Sequence, residues 1–107
     1  MSKEEEIHEI ERIKSSLEYH FKRYNDYKYE SKSASKKSDR SRASDNMFNH
    51  AKYIENELLN PLVFSVIRDG NPFQFEDFGR YVNSDLPDYL SKIESLLEKL
   101  KSEKEEE

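Results

Sequence analysis

The first sixty residues contain neither proline nor glycine. All three prolines (61, 72 and 87) and both glycines (70 and 79) lie after them. These two residue types end or bend helices most effectively, so nothing in the first half of the chain stops a long helix. The apolar pattern there asks for one. Ile7, Ile10, Ile13, Leu17, Phe21, Tyr24 and Tyr27 recur every three or four residues, the spacing of a helical stripe. Written as heptads, Ile10, Leu17 and Tyr24 are a positions, and Ile13, His20 and Tyr27 are d positions. The Glu-rich start suits the positive end of a helix dipole.

A second stripe follows at Met47, Ala51, Ile54 and Leu58, with Ser44, Asp45 or Asn46 as the expected N-cap. Asn60 precedes Pro61, so this helix should stop there. Residues 61–76 admit two readings. Asp69-Gly70 could turn a hairpin between "LVFSVI" and "FQF". Alternatively, Pro61 opens a further helix and Gly70 closes it. The helical neighbours favour the helix, since an isolated two-stranded hairpin is marginal. "QFEDFGRYVN" (74–83) reads as a short helix. Ser84 or Asp85 then caps a last one, with Pro87 in its first turn. Its seam is Leu86, Leu90, Ile93, Leu97 and Leu100.

The expected fold class is therefore all-α: a small bundle of four helices, or five, with long amphipathic helices at both ends. Residues 1–107 read as one helical domain. Segment 31–44 is a basic, Ser-rich linker or an extension of the first helix, and 101–107 is an acidic tail expected to fray. Leu, Ile, Val and Phe make up about 22% of the chain, just above the roughly 20% level below which chains tend to stay unfolded. A core this thin gives a reason to bury apolar surface against a partner.

Charge is unevenly distributed. The chain carries −5 overall. Segment 31–44, "SKSASKKSDRSRAS", has five cations against one carboxylate, leaving −9 on the rest. A chain-wide polyanion surface is thereby disfavoured, while a local one is allowed. There is no cysteine, hence no disulfide framework, thiol nucleophile or thiolate zinc site. The N-terminus lacks the apolar region of a secretory signal, and "PLVFSVI" is too short to span a bilayer. A soluble, cytoplasmic protein that does not engage a membrane is the expectation.

Catalytic chemistry finds little support. Glu5 and His8 form one Glu-x-x-His pair, and carboxylate-bridged metal bundles need two. His20, at a d position, more often sets register than binds metal. The serines cluster without a strained turn to activate one, and two glycines cannot build a phosphate loop. No enzyme activity, metal, cofactor or small-molecule substrate is expected.

The leading functional expectation is a non-enzymatic interaction protein that binds a protein partner or a second copy of itself as a homodimer. Its partner-binding face would be the seam Leu86, Leu90, Ile93, Leu97 and Leu100 with Phe73, Phe75 and Phe78. A second reading is a nucleic-acid accessory protein holding phosphates with Lys32, Lys36, Lys37, Arg40 and Arg42. The run "YHFKRYNDYKY" (19–29) supports it, since aromatics among cations can stack bases. In the competing view Phe21, Tyr24 and Tyr27 are core, and Tyr19 and Tyr29 lie on the surface. A third reading is an acidic inhibitor that fills the basic groove of a nucleic-acid enzyme. Ser41 and Ser44, in "RSRAS", are a low-specificity phosphorylation pattern.

Overall fold

The computed structural model describes residues 2–68, 82 and 85–106. The chain is all-α: four helices are described, α1 (Lys3–Ser33), α2 (Lys37–Leu58), α3 (Pro61–Arg68) and α4 (Leu86–Glu106). The described residues contain no strand, and Pro61 opens a helix rather than a hairpin. The short helix expected over 74–83 lies outside the described residues apart from Val82, which is fully buried. No described helix is long and apolar enough to cross a membrane.

Each boundary has a local cause. Ser2 caps α1: its hydroxyl accepts from the Glu5 N–H and donates to the Glu5 carboxylate, both at 3.2 Å, which satisfies a donor the first turn leaves open. At the α2–α3 junction the Asn60 side chain accepts from the Leu62 N–H at 3.0 Å, and Pro61 takes the first helical position, where its missing N–H costs nothing.

The break between α1 and α2 is much shorter than the Ser-rich composition suggests. Only Ala34, Ser35 and Lys36 stand outside a helix. Ala34 and Lys36 are extended, and Lys36 is the N-cap of α2 with no side-chain cap bond. The expected capping by Ser44, Asp45 or Asn46 is therefore corrected: α2 starts eight residues before Asp45, and those three lie inside it. The serines help to close the bend. Ser31 Oγ donates to the Lys28 carbonyl at 2.7 Å and Ser33 Oγ to that of Tyr29 at 2.9 Å. Such local bonding is what short polar side chains offer at helix ends.

The bend folds α2 back along α1. Arg12 meets Glu57 and His20 meets His50, an antiparallel register centred on Ser35. Ile13, Leu17 and Tyr24 of α1 and Ala51, Ile54 and Leu58 of α2 are buried in one cluster, joined by Val63 and Ile67 of α3 and by Leu86, Ile93 and Leu97 of α4. On another flank of α1, α4 runs antiparallel, tied by Lys14–Glu94 at 2.6 Å, Lys3–Glu103 at 3.5 Å and Lys104–Glu4 at 3.6 Å. The tail expected to fray is helical to Glu106. Its lysines reach the Glu-rich start of α1, which complements the charge of both helix ends.

This register brings the start of α4 level with about residue 22 of α1. The last turns of α1 and the first turns of α2 project beyond it by roughly 15 Å, at 1.5 Å per residue. The molecule is accordingly elongated, 58 × 25 × 19 Å with a radius of gyration of 16.1 Å, against about 13 Å for a compact chain of this length.

Candidate functional site on the α1–α2 hairpin

The Leu seam is spent inside the chain. Leu86, Ile93 and Leu97 are buried, and Leu90 and Leu100 pack half-buried against the same cluster. The side chains expected to form a partner-binding face there pack against α1 and α3 within the chain. Phe73, Phe75 and Phe78 lie outside the described residues.

The basic segment is divided between two roles. Lys32, Lys36, Lys37 and Arg42 are exposed. Arg40 instead turns inward: its Nη1 donates to the carbonyls of Ala34 at 2.8 Å and Ser35 at 3.2 Å. It closes the end of α1 and is withdrawn from the set expected to hold phosphates. The other four cations surround the tip of the projecting hairpin. Ser41 is exposed within α2, whereas Ser44 is half-buried.

Exposed aromatics lie on the same hairpin. Tyr24 is buried and Phe21 and Tyr27 are half-buried, as the spacing predicts, while Tyr19, Tyr29, Phe48 and Tyr53 stand 48–74% exposed. Only Leu59, just past α2, joins them among the described large apolar side chains left in solvent.

Between Tyr19 and Tyr53 sits a cluster that reasoning from the sequence missed. His20 Nδ1 and His50 Nδ1 are 2.8 Å apart across the two helices. Tyr53 stacks on His20 with ring centres 4.8 Å apart, and Tyr27 stacks on His50 at 5.6 Å. Tyr19 meets the His20 ring edge-on at 5.0 Å. Arg23 lies over the Tyr27 ring at 4.8 Å and donates to its hydroxyl at 2.8 Å. Burial lowers both imidazole pKa values below the ordinary 6.5. For His20 the Glu57 carboxylate opposes that effect, and for His50 the charges of His20 and Arg23 add to it.

The stripe continues toward the base of the hairpin. Arg12 donates to Glu9 at 2.7 Å and to Glu57 Oε1 at 3.3 Å. Glu57 Oε2 is buried with no hydrogen-bond partner among the described residues. Two convergent imidazoles resemble half a metal site, but zinc is held by three or four protein ligands. No group of three metal-ligating side chains occurs among the described residues. Glu5, the partner proposed for His8 in a Glu-x-x-His pair, is bound to Ser2, and His8 is exposed with Glu4 at 4.0 Å.

A signal for the histidine cluster was present in the sequence. A hairpin turning at Ser35 pairs each α1 residue with the α2 residue equally far beyond the turn, and His20 and His50 are each fifteen residues from it. Finding it required placing the turn. No protein-family model, no curated protein and no solved structure matches this chain.

Proposed function

We propose that the chain is a non-enzymatic helical interaction protein that binds a protein partner bearing an acidic surface, with the projecting α1–α2 hairpin as its binding arm. One observation carries this reading. The apolar side chains of α3 and α4 close on α1, while Tyr29 remains in solvent on the projecting arm with the exposed Lys32, Lys36, Lys37 and Arg42, and Tyr19, Phe48 and Tyr53 remain in solvent along the hairpin below them. Exposed tyrosines are effective anchors at protein interfaces, and rim cations steer an acidic partner and set its salt dependence. The carboxylates that suggested an inhibitor of basic grooves are partly engaged by lysines of this chain, as in Lys14–Glu94 and Lys3–Glu103, so that reading has less support.

The test is capture from nuclease-treated lysate by the wild-type chain and two variants. One replaces Lys32, Lys36, Lys37 and Arg42 with Ser, and the other replaces Tyr19 and Tyr29 with Ser. The expected result is one acidic protein retained after nuclease and lost with both variants. Retention by both variants overturns the reading.

A second reading, binding of single-stranded nucleic acid, is favoured by the adjacency of Tyr19 and Tyr29 to Lys22 and Lys32. Capture abolished by nuclease would select it. The four-cation variant should then flatten the dependence of log affinity on log salt by about 1 for each phosphate that is no longer neutralised.

A further inference from the structure

We propose that the His20–His50 contact is a proton-operated clasp that holds the α1–α2 hairpin closed at neutral pH and releases it in acid. Two Nδ1 atoms at 2.8 Å form a hydrogen bond only if one carries a proton and the other presents its lone pair. In the neutral pair, one ring is the Nδ1–H tautomer and the other the Nε2–H tautomer. A first added proton goes to the free Nε2 of the donor ring, and the bond survives. A second has only the acceptor Nδ1 left to occupy. Both nitrogens then carry hydrogens aimed at each other, and two imidazolium charges face across the same gap. The clasp cannot hold both protons and stay shut.

The surroundings set the balance. From α1, Arg23 brings a further positive charge, and Tyr19 and Tyr27 bring rings. From α2, Tyr53 stacks on His20, and Glu57 supplies the opposing carboxylate. Among the described residues, Glu57 and Arg23 are the charged groups that act on the two rings from outside the pair. Stacked tyrosines tolerate one cation, which fits a first proton retained and a second expelled. Glu57 is itself engaged by Arg12, so it is only partly free to offset a second charge.

Position makes the contact a clasp rather than an ornament of the surface. Beyond the pair, toward the tip, Ala43 is buried outside the main apolar cluster. Tyr24, with the half-buried Phe21 and Met47, extends that cluster a short way past the pair, so the outer hairpin is held chiefly by aromatic and small side chains. The base is held by the aliphatic side chains of the cluster and by the α1–α4 ion pairs. Opening the clasp should splay the arm and leave the base folded.

Because the chain has no cysteine, spin labels can be placed cleanly at Glu30→Cys and Asp45→Cys, both exposed and both on the tip side of the pair. Pulsed dipolar spectroscopy would be run from about pH 7.5 to about pH 5, the window in which histidine changes charge. One narrow distance is expected at the upper pH and a longer, broader distribution at the lower. In a His20→Gln/His50→Gln background the distribution should be the same at both. Imidazole nitrogen NMR of the wild-type chain needs no substitution: a coupling between the two Nδ1 atoms is expected at neutral pH and should vanish in acid. Ordinary, independent titration of both rings, or an acid response unchanged in the double variant, would overturn the clasp. Neither measurement involves a partner, so the proposed binding role and the clasp stand or fall separately.

Discussion

Arg40 Nη1 donates to the carbonyl oxygen of Ala34 at 2.8 Å, and this hydrogen bond closes the bend between the two long helices. The last carbonyls of a helix have no partner within it, and an arginine six residues on supplies one here. Lys36, the N-cap of α2, makes no side-chain cap bond, so the bend leans on Arg40 and on the hydroxyls of Ser31 and Ser33. Arg40→Ser should therefore destabilise the fold by roughly 1–2 kcal/mol. Replacing the exposed Lys37 should change stability by less than about 0.5 kcal/mol. Urea denaturation of the two variants checks the contrast. Equal effects would return Arg40 to the surface set.

The seam of α4 gives a second prediction. Ile93 has no exposed surface and Leu97 almost none. Truncating a buried aliphatic side chain to Ala costs about 2–5 kcal/mol, a large share of the stability of a domain this size. Ile93→Ala should lower the thermal midpoint by the same amount at low and high protein concentration. Had the seam been an interface between two copies, the midpoint would rise with concentration. Light scattering on the wild-type chain supplies the same discrimination directly.

These contrasts mark how much of the molecule the sequence made readable. Periodicity located α1, α2 and α4 because each buries one stripe, and the helical neighbours selected helix over hairpin for α3. The turn was hidden for a physical reason: Ser31–Ser44 contains no glycine or proline, and the bend is closed by Ser hydroxyls and Arg40, which look like a solvated basic loop. With 31–44 read as a linker or a helix extension and the second helix starting only at Ser44–Asn46, no register was defined and the pairing of His20 with His50 could not be drawn. The Leu seam was read correctly as an apolar face, but periodicity alone does not say whether the same chain covers it. Only the α1–α4 register decides that.

Arg12 and Glu57 supply a third prediction, in which the two halves of one ion pair respond unequally. Arg12 is half exposed and also bound to Glu9, so it loses little when Glu57 changes. Glu57 has a buried oxygen without a partner among the described residues, so it loses much when Arg12 goes. Arg12→Ala should cost roughly 1–2 kcal/mol, the penalty of an unsatisfied, partly buried acceptor. Glu57→Gln keeps an acceptor for Arg12, removes a poorly solvated charge, and should be neutral within about 0.5 kcal/mol. Urea denaturation of both variants at neutral pH measures this. A larger loss from Glu57→Gln would make the charge itself the stabilising element.

Stability should also fall with pH in two stages. His20 and His50 have folded pKa values below the ordinary 6.5, chiefly through burial. The unfolded chain then binds more protons than the folded one as pH falls past 6.5, so their contribution is complete above that value and lost below it. Glu9 and Glu94 are lowered from 4.5 by Arg12 and Lys14. Their contribution is present above 4.5 and disappears further into acid, and it shrinks with added salt because Glu94 is exposed and Glu9 only half-buried. Glu55, raised by burial, has the opposite sign: its contribution is fully present below 4.5 and is lost as pH rises through its folded value. Denaturant midpoints measured from about pH 8 to about pH 4 should thus decline first through the histidines and then through the carboxylates. The upper stage should vanish in His20→Gln/His50→Gln and persist in Lys14→Ala. Glu57→Gln should deepen the upper stage and extend it to lower pH, because the carboxylate that raises the His20 pKa is gone and the folded value falls further below 6.5. An upper stage that survives in the double histidine variant would assign it to other groups.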